Sequence, residues 1–320
     1  MSRLRILNAE ALNYSDKARA ILRDIGDLTE AQLERSDLIR ALPEYDVLIT
    51  RLANRIDASV METGKRLRAI VTATTGLDHI DLDEAKRRGI AVLSLRGETE
   101  FLESVTATAE HTWALLLALV RKVAPAFDHV RRGDWQRDNF VGRTLSGRTL
   151  GVVGYGRLGR MVARYGQAFG MNVIVNDIAP DRLDAGIRSC NLDELIATSD
   201  VVSLHVPLND TTRGMFGKNE FAQCKSSSVL VNTSRGEIVD GAALIAALDS
   251  RRLSGAALDV VADEKPGEGT MREHPLLRYA GTHDNLLITP HIGGATEDSM
   301  HQTEVFMAEK LRRWAQGEKR

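Results

Sequence analysis

The sequence has few of the features that mark several protein classes. It contains only two cysteines, Cys190 and Cys224, in 320 residues. Two thiols cannot form a disulfide framework, and they lack the CxxC spacing of a zinc site. We therefore predict no metal site and expect a reducing compartment, where both cysteines act as small apolar residues.

Long apolar runs are also missing. The longest, residues 113–120, is far below the roughly 20 residues that span a bilayer. The basic residues near Met1 are not followed by an extended apolar stretch, so a secretory signal is not expected. These absences exclude a membrane protein and favour the cytoplasm.

An excess of one charge is absent as well. The 42 Lys and Arg residues nearly balance the 44 Asp and Glu residues, so no overall field draws the chain to nucleic acid or to a membrane surface. Apolar residues make up 43% and charged residues 27%, which is typical of a folded globular protein. A chain of this length exceeds one ordinary compact core, so we expect two domains.

Short runs rich in Val, Ile and Leu alternate with segments of helical period. This order is typical of parallel sheets covered by helices on both faces. The strand candidates are 4–7, 47–49, 69–71 and 91–93 in a first series, and 149–153, 173–175, 201–204, 229–231, 256–258 and 286–288 in a second. The predicted fold class is α/β with two doubly wound parallel sheets.

A helical segment separates the two series. Residues 104–123 are predicted to form one long helix with an apolar stripe at Trp113, Leu116, Leu117 and Val120. Residues 296–316 also have helical spacing, and no strand follows them, so they are expected to return to the first domain. The predicted domains are 1–102 with 296–320, and 103–295.

Three glycines follow the first strand of the second series. Gly154, Gly156 and Gly159 stand in G-x-G-x-x-G spacing at the start of a helical stretch. In a dinucleotide-binding turn the first permits a tight turn, the second lets the pyrophosphate approach the backbone, and the third lets helix and strand pack closely. Glycines also cluster at ordinary strand-helix turns, but this context favours nucleotide binding.

An acidic residue ends the next predicted strand. Asp177 lies 18 residues after Gly159, the position of a carboxylate that binds the adenosine ribose hydroxyls. The alternative is an ordinary turn aspartate. A carboxylate here would repel a 2′-phosphate, so NAD is favoured over NADP, although Arg182 lies nearby.

Four motifs, GYGRLG, VNTSRGEIVD, ALDVVADEKP and ITPHIGGAT, together resemble the D-isomer-specific 2-hydroxyacid dehydrogenase family. Upstream, TTGLDHIDL is similar to that family's substrate loop. The resemblance implies a Rossmann NAD-binding domain and a flavodoxin-like substrate, or lid, domain. It is nearest to the phosphoglycerate dehydrogenase-like branch, and since the sequence ends at Arg320 no C-terminal regulatory domain is expected.

The resemblance places the family's catalytic trio on Arg235, Glu264 and His291. Reduction of a 2-keto acid needs a proton donor at the carbonyl oxygen, which a protonated imidazole supplies near neutral pH. Glu264 would stabilise that imidazolium, and Arg235 would hold the substrate carboxylate through its forked donors. Taken singly, each could be a surface or capping residue. One departure is Lys265, which stands between Glu264 and Pro266 where the family has Pro directly after the Glu.

Further cofactor contacts are implied by the resemblance. Arg157 and Leu158 would contact the pyrophosphate, and Pro207 and Thr212 the adenine side. Those expected near the nicotinamide are Thr108, Thr233, Ser234 and Asp259, with Asp259 accepting a hydrogen bond from the carboxamide. Packing explains each of these positions nearly as well.

The expected substrate contacts lie in the first domain. Thr75 and Gly76 match the loop whose backbone amides hold the substrate carboxylate, although a simple turn with Asp81 capping the next helix fits the same residues. Arg51 stands where phosphoglycerate dehydrogenases carry an arginine for a second substrate charge. A surface arginine at a strand end is the alternative.

The function predicted from these motifs is hydride transfer between NAD and C2 of a small anionic D-2-hydroxy or 2-keto acid, D-3-phosphoglycerate being one candidate. Alternatives are a glyoxylate, hydroxypyruvate or sugar-acid reductase, and an NAD-sensing corepressor that binds NADH without turnover. The resemblance also implies a homodimer formed through the cofactor domains, beside the helix that begins near Ser104.

Overall fold

The computed structural model describes residues 3–179, 183–264 and 271–317. These residues divide into two compact units, one formed by 3–105 and 295–317, the other by 106–264 and 271–294. Each unit is built around one β-sheet whose strands pair in parallel. The α/β class with two parallel sheets is therefore confirmed.

The strands are β1 Leu4–Asn8, β2 Gly26–Glu30, β3 Val47–Thr50, β4 Ala69–Thr72, β5 Ala91–Leu93, β6 Thr149–Val153, β7 Asn172–Asn176, β8 Arg188–Ser189, β9 Val201–Leu204, β10 Val229–Asn232, β11 Gly255–Leu258 and β12 Leu286–Ile288. The helices are α1 Asp16–Ile25, α2 Arg35–Ala41, α3 Ala58–Thr63, α4 Leu82–Arg87, α5 Thr99–Leu102, α6 Ala107–Val120, α7 Val123–Arg131, α8 Arg157–Ala168, α9 Leu192–Thr198, α10 Lys218–Gln223, α11 Gly241–Asp249, α12 Pro275–Ala280 and α13 Glu297–Ala315.

The first unit has a five-stranded sheet in the order β2-β1-β3-β4-β5. Successive strand residues face opposite sides, so Ile6 and Val47 pack into one apolar core and Leu7 and Leu48 into the other. The helix α13 packs against α1 and contributes Met307, among others, to the first of these cores. The sheet is thus covered on both faces.

The second unit has a seven-stranded sheet in the order β12-β11-β10-β9-β6-β7-β8. The chain winds from β6 toward β7 and β8 on one side and then returns to build β9 to β12 on the other. The strand order reverses between β6 and β9, and ligands of open α/β sheets bind at such a switch point, outside the carboxyl ends of the strands.

Some elements differ from the sequence prediction. The helix predicted over 104–123 is present but shorter: α6 runs from Ala107 to Val120, Lys122 adopts a left-handed backbone conformation with φ 53°, and α7 begins at Val123. Pro125 explains the break, since its ring would clash with the carbonyl of Arg121 in a continuous helix. The strands β2 and β8 were not predicted.

The apolar stripe of α6 is buried inside the second unit. Trp113, Leu116 and Val120 belong to its core, and the Trp113 ring stacks on Phe169 with centroids 4.6 Å apart. Burial within one chain therefore accounts for the stripe. Among the described residues, no helix is both long enough and apolar enough to cross a membrane.

Candidate active site

The second unit gathers its chemistry-bearing residues where its strands end. Gly154 follows β6, Asp177 follows β7, Arg235 follows β10 after two residues, Asp259 follows β11, and His291 lies three residues beyond β12. Parallel strands place their carboxyl ends at the same edge of the sheet. The fold therefore brings these positions to one side of the unit.

His291 and Glu264 are in direct contact. The imidazole Nδ1 lies 2.6 Å from Glu264 Oε2, and Glu264 Oε1 accepts a hydrogen bond from the Val261 amide at 2.9 Å. Both side chains are partly exposed, at 32% and 23%. The carboxylate is thus fixed by its own loop and presents one oxygen to the imidazole.

Arg235 lies on the neighbouring loop. Its backbone carbonyl accepts from Asn232 Nδ2 at 2.8 Å, and its Nη1 donates to the Ser234 carbonyl at 2.7 Å. The next residue, Gly236, packs so closely that a Cβ there would lie 1.9 Å from the carbonyl carbon of Val261. Only glycine allows this approach, which puts the Arg235 loop against the loop that carries Glu264.

The glycine turn after β6 has three different environments. Gly154 has φ +90° and its added Cβ would lie 2.7 Å from the His205 carbonyl oxygen, while a Cβ on Gly159 would lie 2.0 Å from the Gly154 carbonyl oxygen. A Cβ on Gly156 would meet no atom within 4 Å. Gly154 and Gly159 are therefore required by the protein itself, whereas Gly156 borders open space.

Helix α8 begins at this open space. Its N-cap is Gly156, and no side chain caps its first turn, in contrast to α11, where Asp240 accepts from two backbone amides. Free amides at a helix N-terminus favour an anion. Arg157 and Leu158 are the first two residues of the helix, so the turn fits a dinucleotide pyrophosphate.

Asp177 closes the turn from the β7 side. Its Oδ2 accepts from the Tyr155 amide at 2.6 Å and its Oδ1 from the Ala179 amide at 2.8 Å. The carboxylate therefore lies directly beside the glycine turn. Arg182, the nearby basic residue, lies outside the described residues.

The other positions expected at the cofactor fall into local hydrogen-bonded groups. Thr212 Oγ1 donates to the Pro207 carbonyl at 2.6 Å, and Ser234 Oγ donates to the Leu204 carbonyl at 2.8 Å. The Thr233 hydroxyl lies 2.8 Å from that of Thr112, which in turn donates to the Thr108 carbonyl at 2.7 Å. Thr108 is thereby joined to the β10 loop.

Asp259 takes part in a network that the sequence analysis missed. Its carboxylate, 1% exposed, is contacted by the side chains of Thr289 and His111 and by two backbone amides of the His291 loop. His111 stands one helical turn from Thr108 on α6, and that spacing is the signal that could have pointed to it.

The substrate-loop candidates lie in the first unit. Thr75 is exposed, Gly76 is partly buried and its carbonyl accepts from Thr74 Oγ1 at 2.8 Å, while Asp81 caps α4 by accepting from the Glu84 amide. The capped turn is therefore present.

Arg51 is engaged within the same unit. Its guanidinium forms an ion pair with Glu304, whose side chain is 1% exposed, and Nη1 donates to the Leu12 carbonyl at 3.0 Å. The guanidinium also lies 5.5 Å from the centre of the Tyr14 ring. Much of its donor set is thus used by the protein.

Within the described ranges, no group of three or more His, Cys, Asp or Glu side chains is arranged to hold a metal ion. Lys265 and Pro266, which follow Glu264, lie outside those ranges.

Comparisons with known proteins show the family of the chain. Residues 113–293 match the family described as "D-isomer specific 2-hydroxyacid dehydrogenase, NAD binding domain". The chain is 36% identical to a D-3-phosphoglycerate dehydrogenase of Archaeoglobus fulgidus over 98% of its own length but only 58% of that protein's. It is 34% identical to a hydroxypyruvate reductase of Thermotoga maritima, covering 97% of this chain and 98% of the relative.

A solved structure resembles the chain over nearly its whole length. The D-lactate dehydrogenase of Aquifex aeolicus, complexed with NAD and lactic acid, superposes with a TM-score of 0.84 at 31% identity, covering 98% of this chain and 96% of that one. The chain therefore belongs to the D-isomer specific 2-hydroxyacid dehydrogenase family, and residues 113–293 correspond to that family's NAD-binding domain.

Proposed function

We propose that this protein is an NAD-dependent oxidoreductase that transfers a hydride between the nicotinamide and C2 of a small D-2-hydroxy or 2-keto acid. The observation that carries the proposal is the 2.6 Å contact between His291 Nδ1 and Glu264 Oε2. It lies at the carboxyl edge of a sheet whose first turn fits a dinucleotide.

His291 acts as the acid in reduction. As the hydride adds to C2, the π electron pair of the carbonyl moves to oxygen, which takes a proton from the imidazole. Because Nδ1 is hydrogen-bonded to the Glu264 carboxylate, Nε2 is the ring nitrogen that donates the proton to the substrate. In the oxidising direction the same nitrogen accepts the hydroxyl proton. The carboxylate of Glu264 stabilises the charged ring between these steps.

Arg235 holds the substrate carboxylate. A guanidinium stays charged at all physiological pH values and offers paired donors to a carboxylate. Held in this way, C2 has its oxygen facing His291 of the same unit. We further propose that the backbone amides at Thr75 and Gly76 in the first unit bind the substrate.

The glycine turn holds the cofactor. Gly154, Gly156, Gly159, Arg157 and Leu158 would surround the pyrophosphate, and Asp177 would bind the ribose hydroxyls. When bound, NADH supplies the hydride. The remaining contacts we propose are Thr108, Thr233, Ser234 and Asp259 on the nicotinamide side, and Pro207 and Thr212 on the adenine side. NAD is preferred to NADP because the Asp177 carboxylate would repel a 2′-phosphate.

Unphosphorylated acids fit best among the candidate substrates. The ion pair of Arg51 with the buried Glu304 carboxylate leaves less of its charge and fewer of its donors for a substrate phosphate. We therefore place hydroxypyruvate and glyoxylate ahead of D-3-phosphoglycerate.

We further propose a homodimer and a cytoplasmic location. Phe127, Trp135 and Val141, on and after α7, are 62%, 86% and 72% exposed in the single chain. Such large exposed apolar side chains are typical of a surface that a partner covers. The free cysteines, Cys190 and Cys224, suit a reducing compartment.

The test is NADH oxidation with hydroxypyruvate, glyoxylate, pyruvate and 3-phosphohydroxypyruvate, followed by absorbance. Wild type should turn over at least one of them. His291→Gln should lower kcat by about 1000-fold or more, while His301→Gln on α13 serves as the matched control with unchanged turnover. NADH binding without oxidation by any of these acids would overturn the proposal and favour an NAD-sensing corepressor.

A further inference from the structure

His111 is a titratable side chain that the proposed mechanism does not use. It lies on α6 and is mostly buried, with 17% of its side chain exposed. Its Nε2 is 2.9 Å from Thr289 Oγ1 and 3.2 Å from Asp259 Oδ1. Both partners belong to the strand ends that flank the His291 loop.

The chemistry of these contacts assigns the proton. The Thr289 hydroxyl lies 2.6 Å from Asp259 Oδ1, and an ionised carboxylate can only accept, so the hydroxyl hydrogen points to Asp259. The Thr289 oxygen is then left to accept from His111. Nε2 of His111 therefore carries a proton and donates to both partners.

Asp259 links His111 to the His291 loop through hydrogen bonds. Its Oδ1 also accepts from the Ile292 amide at 2.9 Å, and its Oδ2 accepts from the Gly293 amide at 2.7 Å. Its backbone carbonyl accepts from the His291 amide at 2.8 Å. One buried aspartate thus holds three consecutive amides of the loop.

The loop needs this support because its backbone is strained. His291 has φ +55°, a left-handed conformation that costs a residue other than glycine about 1–3 kcal/mol and persists only when its surroundings impose it. Packing at Gly293 is equally tight, since an added Cβ would lie 2.9 Å from Asp259 Oδ2. The direction of the His291 side chain therefore depends on this network.

We propose that His111 is a positioning residue for His291. Its Nε2–H fixes the Thr289 hydroxyl and the Asp259 carboxylate, and these two hold the backbone of residues 291–293 in the conformation that presents the imidazole to the substrate. The inference rests on the proposed function of His291. It gives the Asp259 carboxylate a role within the protein in addition to any contact with the nicotinamide.

The experiment compares His111→Leu, which removes the donor, with His111→Gln, whose amide places an N–H near the position of Nε2. With hydroxypyruvate and NADH, His111→Leu should lower kcat by about 10- to 100-fold, the scale expected for a misplaced reacting group. KM and the Kd of NADH should change by less than about threefold, since uniform binding is not removed. His111→Gln should recover most of the loss.

A double-mutant cycle tests the route through Thr289. Because His111 and Thr289 act as one unit, His111→Leu combined with Thr289→Val should lose no more activity than the more damaging single variant. The proposal would be overturned if the two single-variant losses in kcat add in the double variant, or if the kcat of His111→Leu lies within twofold of wild type. It would also be overturned if His111→Leu weakens substrate and NADH binding as much as it lowers kcat and His111→Gln restores none of these.

Amide hydrogen exchange separates this inference from the proposed function. In His111→Leu, exchange of the peptide covering residues 289–293 should accelerate about 10-fold or more, as a local opening becomes easier, whereas a peptide of α11 should exchange at the wild-type rate. Failure of wild type to oxidise NADH with any of the acids would refute the proposed function, while faster exchange in His111→Leu would still show that His111 holds the backbone of residues 291–293. Unchanged exchange at 289–293 would refute the positioning role alone.

Discussion

Two glycines of the turn after β6 differ in their expected roles: Gly159 is required for packing within the protein, whereas Gly156 borders the space proposed for the cofactor. Gly156 has φ −72°, which alanine adopts freely, and its Cβ would meet no protein atom within 4 Å. Gly156→Ala should therefore leave the free energy of unfolding within about 0.5 kcal/mol of wild type. Its methyl group should fill the space for the pyrophosphate and weaken NADH binding at least about 10-fold, measured by fluorescence titration.

Gly159→Ala is the matched control, because its Cβ would lie 2.0 Å from the Gly154 carbonyl oxygen. It should lower the free energy of unfolding by about 2 kcal/mol or more, through the backbone shift that overpacking forces. Wild-type NADH affinity in Gly156→Ala would show that no phosphate approaches this turn.

A buried histidine gives the fold a pH-dependent stability. Burial lowers the pKa of His205 from 6.5 to about 4. Between these values the unfolded chain binds more protons, so stability falls as the pH drops through 6.5 toward 4. His205→Gln should remove up to about 3 kcal/mol of this loss.

Urea unfolding of His205→Gln and wild type at pH 7, 5.5 and 4.5 measures the effect, with His283→Gln as the control. The two unfolding free energies should converge as the pH is lowered. A difference between them that is constant with pH would show that His205 keeps an ordinary proton affinity in the folded state.

At the scale of secondary structure, the sequence predicts the apolar strands, including the edge strands β5 and β12, and misses the polar edge strands β2 and β8. β9 and β10 are buried at every position and are nearly continuous apolar runs. β2, with the sequence GDLTE, lies at the edge of its sheet, is fully buried only at Gly26, and has one large apolar residue, the partly buried Leu28. Its strand conformation comes from pairing with β1, which local composition does not show.

Some residues of the candidate site could be predicted from the sequence, and others could not. Arg235, Glu264 and His291 could be predicted because they lie in recognisable motifs at strand ends. The contacts of His111 with Asp259 and Thr289 join positions 148 and 178 residues apart in the chain, so they exist only once the sheet and α6 have packed. Motifs therefore locate the proposed reacting groups, and the packed fold supplies the contacts that hold the loops carrying them.

The residue between α6 and α7, Lys122, has a left-handed backbone conformation that substitution can test. Lys122 has φ 53° and no side-chain capping role. Lys122→Gly should raise the free energy of unfolding by about 0.5 to 1 kcal/mol, because glycine adopts this conformation without a Cβ clash. Lys122→Ala keeps the Cβ clash, so its free energy of unfolding, measured by chemical denaturation, should not exceed that of wild type. A gain with alanine but not with glycine would contradict the assignment.

At the scale of the whole molecule, the surface around α7 predicts self-association. Val123, Phe127 and Val130 recur along one face of α7, and Trp135 follows the helix with 86% of its surface exposed. Light scattering should give twice the chain mass of 35.2 kDa. Trp135→Lys should shift the mass toward one chain, whereas Leu12→Lys, which changes an exposed residue of the other unit, should not. A monomeric wild type would refute the homodimer.

The fate of the hydride tests the central claim most directly. Hydroxypyruvate reduced with NADH that carries deuterium at both C4 positions of the nicotinamide should yield glycerate that carries one deuterium at C2 and has the D configuration, as measured by mass spectrometry and chiral chromatography. Glycerate without deuterium at C2, or of L or racemic configuration, would contradict the account.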